Sequence, residues 1–209
     1  IISEVHSVKF LGLWLDRHLQ WTEHFKALYS KLSRANYIIN SVKNMLPKFC
    51  LRSLYFSLFY SHMTYGVHLW GTNMLKSKLK KIFVTQKKSI RIISKATYNA
   101  HTDQLFVNLN LLKLEDVIDL ELLKLMYSHS KNHLPMPLQN SFNTNRTLHT
   151  YNTRHRNDPL IIRRSTTALD KSFLCRAPFL WGGIAPQLKA CKTISSFKKQ
   201  IKKAKIRMY

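Results

Sequence analysis

The sequence predicts a mainly α-helical protein, in which a helical bundle follows a short β segment and precedes a loop-rich, basic C-terminal region. Three observations support this fold class. Apolar residues recur at helical spacing in several long segments, 45% of the residues are apolar, and residues 24 to 102 contain fourteen Lys and Arg but no Asp or Glu. A chain of 209 residues can bury a core as one large domain or two smaller ones. The charge therefore belongs to a folded surface and not to a disordered arm.

The charge also restricts the class of partner. The net charge is +24 and the pI is near 10.2, so the folded state is self-repelling unless a polyanion or counterions compensate. Nucleic acid is the first partner indicated, and an anionic membrane the second. Four of the ten acidic residues lie between Glu115 and Glu121. We expect that segment to face away from phosphate.

The first elements are a strand and a long helix. The apolar run Val8 to Leu15 is continuous, which is typical of a strand covered on both faces, with Gly12 at a bulge or a close backbone approach. Thr22 can cap a helix that extends to about Asn44, because the following apolar residues keep the 3.6-residue period. Pro47 suits the first turn of a second helix.

That second helix is expected to end near residues 65 to 66, where the segment GVHLWG reads as a turn. A basic helix follows over Leu75 to Ile93. Residues expected to pack fall in one arc of roughly 100°: Leu75, Leu79, Ile82, Phe83, Gln86, Ile90 and Ile93. The opposite side carries Lys80, Lys81, Lys87, Lys88 and Arg91. This face is a candidate for phosphate contact, and the alternative is an ordinary solvated lysine face.

Further elements are predicted downstream. A helix begins near residues 101 to 103, and another covers Leu112 to about Ser130 with acids in its first turns, where the helix dipole favours them. The polar segment Asn140 to Asp158 reads as a surface loop, where Arg154 and Arg156 can contact phosphate or 2′-hydroxyls. A basic helix from Ile194 ends the chain. We expect Tyr65, Trp70 and Trp181 to pack in the core or in turns rather than stack on bases.

Six segments, taken in order, resemble the C-terminal part of the reverse transcriptase of a jockey-like non-LTR retrotransposon. They are VKFLGLWLD (8–16), LRSLYFSLFYSHMTYGVHLWG (51–71), QKKSIRII (86–93), HTDQLFVNLNLLKLEDV (101–117), HTYNTR (149–154) and APFLWGGIAPQLKACKTISSFKKQIKK (177–203). Each segment alone is weakly specific, and their common order is the informative feature.

The resemblance implies a place for each part of the chain. Residues 1–16 would be the end of the polymerase palm, 17–98 a thumb-like helical domain and 99–209 a helical, loop-rich basic region. Phe10, Leu11 and Gly12 would lie in the hairpin after the palm as primer-grip residues, although an ordinary buried strand is the alternative. The basic face of the thumb would hold the template and primer.

The same resemblance implies that the catalytic centre lies elsewhere. Nucleotide transfer uses metal ions held by clustered carboxylates, and the family's Tyr-x-Asp-Asp motif does not occur in this sequence. Asp16 and Glu23 do not substitute for it. The fragment is predicted to be inactive alone and to hold no cofactor, with Mg²⁺ expected in the missing palm. No metal site is expected, because no Cys or acid completes a ligand set with His129 and His133. The first residue is Ile and not Met, which suggests a fragment.

The leading hypothesis is a nucleic-acid-binding fragment of an RNA-directed DNA polymerase. Its partners would be RNA, an RNA–DNA or DNA duplex and the remainder of the polymerase chain. No membrane is expected, since no run of eighteen apolar residues occurs. The family suggests the nucleus and a cytoplasmic ribonucleoprotein as locations. The alternatives are a degenerate transposon remnant without a biochemical role and a basic membrane-surface module.

Overall fold

The computed structural model describes residues 4–147, 151, 156, 159–161 and 170–209. These residues form two compact units, the first made of residues 4–117 and 206–209 and the second of the described residues between 118 and 205. The described elements are helical except for one two-stranded sheet near the start of the chain. The predicted fold class is therefore confirmed, whereas the predicted domain boundaries stay predictions.

The first unit begins with a β-hairpin and not with a single covered strand. Strands β1 (Ser7–Phe10) and β2 (Leu13–Asp16) pair antiparallel, with Phe10 opposite Leu13. The chain reverses at Leu11 and Gly12, whose φ angles of 45° and 85° are both positive, as in the tight turns that hairpins favour. Phe10 is 61% exposed, so the predicted covering of both faces is wrong. A hairpin is present at the residues for which the resemblance implied one, whereas its place after a polymerase palm stays a prediction.

Helix α1 (Thr22–Val42) starts where predicted, but a residue other than Thr22 accepts the hydrogen bonds at its start. Thr22 does not cap the helix; instead the Asp16 carboxylate accepts hydrogen bonds from the backbone N–H groups of Gln20 at 2.7 Å and Thr22 at 2.9 Å. The Thr22 hydroxyl accepts a 2.7 Å bond from Lys78 Nζ. The last residue of the hairpin thus satisfies the N–H group of Thr22, one of those that a helix start leaves unpaired, and also that of Gln20 before the helix.

The second predicted helix contains a π-helical interruption. It consists of α2 (Lys48–Leu54), a π-helical segment (Tyr55–Tyr60) and α3 (Ser61–Thr64), and it ends near Gly66 as predicted. Helix α4 (Val67–Asn73) replaces the turn predicted for GVHLWG. That prediction is wrong because Val67 and Trp70 are fully buried, and Trp70 Nε1 donates a 2.9 Å hydrogen bond to the Tyr65 carbonyl.

Helix α5 (Lys76–Ser94) packs on α1 through buried polar groups, and α6 (Asp103–Leu109) follows. Asn36 of α1 donates a 2.9 Å hydrogen bond to the Thr85 carbonyl and accepts one from the Ser89 hydroxyl. Gln86 Nε2 donates to the Tyr55 hydroxyl at 3.1 Å and to the Leu112 carbonyl at 2.9 Å. We call Asn36, Thr85 and Ser89 the polar seam.

Helix α7 (Leu114–Ser130) follows, and Tyr209, the last residue of the sequence, contacts residues at the start of this helix. The Tyr209 hydroxyl donates to Asp116 Oδ2 at 2.6 Å and accepts a 2.8 Å bond from the Lys113 backbone N–H. The Lys113 ammonium lies 4.2 Å from the centre of the Tyr209 ring and 3.0 Å from Asp103 Oδ1. These contacts lie within the first unit.

The second unit is built around aromatic side chains. Its further elements are α8 (Met136–Gln139), a 3-10 turn (Asn145–Thr147), α9 (Phe173–Gly182), α10 (Pro186–Lys189) and α11 (Ile194–Ile206). Phe197 is fully buried, with its ring 4.8 Å from that of Tyr127 and 5.8 Å from that of Trp181. No helix in the described ranges is long and apolar enough to cross a membrane.

The polar seam generates a prediction about stability. Replacing Asn36 with Ala leaves the buried Ser89 hydroxyl and Thr85 carbonyl without this partner, so we expect the free energy of unfolding to fall by about 2–3 kcal/mol. Asn40→Ala, one turn along the same helix at an exposed position, is the control and should cost less than about 0.5 kcal/mol. Urea unfolding followed by tryptophan fluorescence measures both. Equal losses would contradict the assigned role of the seam.

A buried histidine generates a second prediction. His24 is 6% exposed beside Trp21 and Trp70, and burial, helped by the nearby Lys31 charge, lowers its pKa to about 4. Between pH 6.5 and pH 4 the unfolded chain binds a proton that the native chain does not. The free energy of unfolding should therefore fall with decreasing pH, by at most about 1.4 kcal/mol per pH unit.

Unfolding of His24→Leu across this pH range checks the assignment, because the variant should lose that part of the pH dependence. His18→Gln, at an exposed position, is the control, and it should alter the profile less than His24→Leu does. A His24→Leu profile identical to that of the wild type would contradict the burial of a neutral imidazole.

Candidate nucleic-acid interface

The outward face of α5 divides into free and anchored cations. Lys80, Lys81 and Lys88 are exposed, and none of them forms an ion pair with a residue that the structure describes. Lys87 Nζ instead lies 4.6 Å from the centre of the Phe83 ring, and Arg91 Nε donates a 3.0 Å hydrogen bond to the Ala100 carbonyl. The five predicted residues thus share one helix, but three are free for an external anion and two also have internal contacts.

The inward face agrees with the predicted periodicity. Gln86, Ile82 and Ile90 are fully buried and Ile93 is 1% exposed. Leu79 and Phe83 are only half-buried, and Leu75 is 54% exposed because it precedes the first helical turn. The buried face also includes Thr85, Ser89 and Ile92, which lie outside the predicted arc. The buried residues of α5 fix the orientation of the helix about its axis. That orientation determines which lysines face solvent.

A groove between α1 and the C-terminal half of α5 adds residues that the sequence reasoning missed. Its volume is about 460 Å³. Two strongly exposed aromatic side chains line it, Tyr37 at 75% and Tyr98 at 82%. The remaining polar lining consists of Ser33, Asn36, Asn40, Asn44, Lys43, Lys88, Arg91 and Lys95. We call this the α1–α5 groove, and its lining contains cations but no carboxylate.

The loop after α5 carries Tyr98, and hydrogen bonds of α5 hold that loop. Lys95 ends the helix with φ 51°, and the Ala96 N–H donates to the Arg91 carbonyl at 3.0 Å. The bond from Arg91 Nε to the Ala100 carbonyl fixes the other end of the loop. Arg91 therefore positions Tyr98 as well as contributing charge to the groove.

The predicted primer-grip residues lie at an exposed, strained hairpin tip. Leu11 is 74% exposed, and its φ is 45°. This left-handed backbone conformation costs an L-residue roughly 1–2 kcal/mol. The Tyr65 hydroxyl donates a hydrogen bond to the Leu11 carbonyl. A side chain at Gly12 would meet the Tyr65 ring at 3.5 Å. Tyr65 thus holds the tip while Phe10 and Leu11 stay open to solvent.

The other predicted residues are more dispersed. Arg156 is half-buried, and its Nε has no hydrogen-bond partner in the described part of the chain. Arg154 lies outside the described residues. Trp70 and Trp181 are buried as predicted, whereas Tyr65 is 54% exposed at the hairpin contact. Among the described residues, no cluster of three His, Cys, Asp or Glu side chains has metal-binding geometry.

Several of the acidic residues have local partners. In the second unit Asp119 is paired with Arg176 at 3.0 Å and with Lys205 at 2.9 Å, and Glu121 is paired with Lys124 at 2.7 Å. In the first unit Asp116 accepts from Tyr209. The first unit is thus helical, and the outward face of α5 presents exposed cations. A cationic surface of this type is suited to polyanions.

Comparison with known proteins agrees with that class. The chain is 31% identical over 120 residues to the RNA-directed DNA polymerase from mobile element jockey of Drosophila melanogaster. It is 27% identical over 122 residues to the probable RNA-directed DNA polymerase from transposon BS of the same species, and 26% identical over 122 residues to the jockey polymerase of Drosophila funebris. No family model and no solved structure matches the chain.

These similarities confirm the resemblance to the polymerases of jockey-like retrotransposons that the six sequence segments indicated. Each alignment covers 56% of this chain and 13% of the relative. The chain therefore matches only a small part of the length of those polymerases.

The strained hairpin tip gives a prediction about stability. Asn tolerates positive φ better than Leu, so Leu11→Asn should raise the free energy of unfolding by up to about 1 kcal/mol. Leu15→Asn, at a half-buried strand position with extended backbone, is the control and should lower it. Thermal unfolding measures both variants. A less stable Leu11→Asn protein would show that the Leu11 side chain packs despite its exposure.

Proposed function

We propose that this chain is the thumb and downstream region of a retrotransposon reverse transcriptase, and that it holds template and primer through contacts to their phosphates. The observation that carries the proposal is the acid-free face of α5, where Lys80, Lys81 and Lys88 are exposed without an ion-pair partner among the described residues. The similarity to RNA-directed DNA polymerases supports nucleic acid as the polyanion.

The spacing of these lysines suits a nucleic-acid backbone. A helix rises about 1.5 Å per residue, so Lys80 and Lys88 are separated by roughly 12 Å along the axis. One strand of duplex carries a phosphate about every 3.4 Å. Lys80, Lys81 and Lys88, which we call the lysine row, therefore span about three to four steps between successive phosphates. Such contacts position a nucleic acid without reading its sequence, which is what a template grip requires.

The hairpin tip supports a second contact within the same proposal. Phe10, Leu11 and Gly12 lie at an exposed turn held by Tyr65, and strained exposed backbone is concentrated at functional sites. We assign these residues to the primer end. The remainder of the polymerase chain would supply the metal-binding carboxylates and Mg²⁺, so this chain contributes grip rather than nucleotide transfer.

Salt dependence tests the phosphate contacts. The log of the association constant should fall linearly with log salt, with a slope of about −0.9 per neutralised phosphate on duplex DNA and about −0.7 on single strands. Lys80→Glu with Lys81→Glu should weaken binding to every sequence and reduce the slope by about 1.4–1.8. Fluorescence anisotropy with an RNA–DNA hybrid across a salt series measures the slope.

A charge-matched variant controls for the overall field. Lys198→Glu with Lys199→Glu replaces two adjacent exposed lysines of α11 and changes the net charge by the same amount. It should change the slope less than the α5 pair does. Equal effects would assign binding to net charge alone, and absent or salt-insensitive binding by the wild-type chain would favour a remnant without function.

A further inference from the structure

We propose that the α1–α5 groove binds the unpaired nucleotides of single-stranded nucleic acid, with bases stacked on Tyr37 and Tyr98 and phosphates on Lys43, Lys88 and Lys95. This inference rests on the proposed function, because it assumes that this side of the first unit meets nucleic acid. It adds a substrate class, since the lysine row of α5 alone does not distinguish a duplex from a single strand.

The two tyrosines carry the inference. Tyr37 is 75% exposed and Tyr98 is 82% exposed, and neither ring stacks on another aromatic ring within the described residues. Tyr37 lies off the buried face of α1, whose core positions nearest to it are Ala35, Asn36 and Ile39. The folded unit therefore does not use either ring for packing. An aromatic face left open to solvent is the surface on which an unpaired base stacks.

The charges around these rings match a nucleic-acid backbone. Lys43, Lys88, Arg91 and Lys95 line the same groove, and its lining contains no carboxylate. Asn40 and Asn44, also in the lining, offer both donors and acceptors for base edges. A groove that combines cations with stacking platforms is the arrangement by which proteins bind single strands without strong sequence preference.

The size of the groove favours single strands. Its volume of about 460 Å³ lies in the range of roughly 300–1,000 Å³ that encloses a small molecule. That space can enclose an unpaired base with its phosphate but not a double helix. The bases of a duplex also stack on their own neighbours, so they present no face to Tyr37 or Tyr98 unless the duplex opens.

Arg91 connects the groove to its second ring. Its Nε donates to the Ala100 carbonyl and its own carbonyl accepts from the Ala96 N–H, both at 3.0 Å. These bonds hold the loop that contains Tyr98 before any ligand binds. Preorganised groups lose less conformational entropy on binding, so the second platform is already in place.

The test compares single strands with duplex on matched tyrosine variants of the 209-residue chain. Anisotropy is measured with a labelled RNA of about 12 nucleotides, within the usual site sizes of roughly 4–16, and with the same RNA annealed to complementary DNA. Tyr37→Ala with Tyr98→Ala should weaken single-strand binding by about 5-fold to 150-fold for each ring lost. Hybrid binding should change less than about twofold.

Three further measurements make the result specific. Tyr37→Phe with Tyr98→Phe keeps both π-faces and should bind single strands like the wild type. Tyr29→Ala, on the same helix at 41% exposure and outside the groove lining, should also bind like the wild type. Circular dichroism and thermal unfolding of the double Ala variant should match the wild type, because both removed rings are exposed.

The outcomes separate this inference from the proposed function. Unchanged single-strand affinity in the folded double Ala variant, or an equal loss on single strand and hybrid, overturns the groove assignment alone. If the wild-type chain binds neither the single strand nor the hybrid, both the groove assignment and the proposed function are overturned. Single-strand binding that depends on both rings while the Lys80 and Lys81 variant has no effect supports the groove and overturns the lysine row.

Discussion

The polar seam between α1 and α5 is the interaction on which the rest of the first unit depends. Apolar side chains alone tolerate sliding of one helix along another, whereas buried hydrogen-bonding groups lose free energy as soon as their partners are displaced. Asn36 is bonded to both Thr85 and Ser89, so it fixes the register of the two helices. That register brings Lys43 of α1 and Lys88 of α5 to the same groove. A contact that stabilises the core thereby also sets the pattern of surface charge.

The positive charge of the α5 face depends on the positions of the acidic residues. Asp119 is held by Arg176 and Lys205 and Asp116 accepts from Tyr209, so these carboxylates serve contacts within their own units. The α5 lysines, with no carboxylate between residues 24 and 102, keep an uncompensated field. Such a field costs stability through self-repulsion unless a polyanion binds. Asp116 and Asp119 thus stabilise the fold, whereas Lys80, Lys81 and Lys88 have no ion-pair partner among the described residues.

The parts of the fold that sequence could predict are those governed by a local period. Helices α1, α5 and α7 follow from apolar spacing, because burial of one face is decided within each segment. The apolar pattern alone predicted a single strand in place of the hairpin, which only the family resemblance implied. The reversal depends on positive φ at Leu11, a type of residue that rarely adopts it. Helix α4 was missed because its glycines suggested a turn, while tertiary burial of Trp70 favours a helix. The groove also depends on tertiary structure and was therefore missed, because only helix packing brings Tyr37 and Tyr98 together.

The proposed lysine row and the proposed groove site would differ in the physical origin of the affinity they supply. Contacts from Lys80 and Lys81 to phosphate would release counterions, so their contribution would decline as salt rises. Stacking on Tyr37 and Tyr98 would bury ring surface and would not depend on counterion release. Low salt therefore favours any nucleic acid that reaches the cationic face, whereas rising salt leaves stacking as the larger share of the affinity. The preference for unpaired over paired strands should accordingly grow with salt, although both affinities fall. A surface with these two components can hold a duplex loosely while retaining the unpaired strand that leads to it.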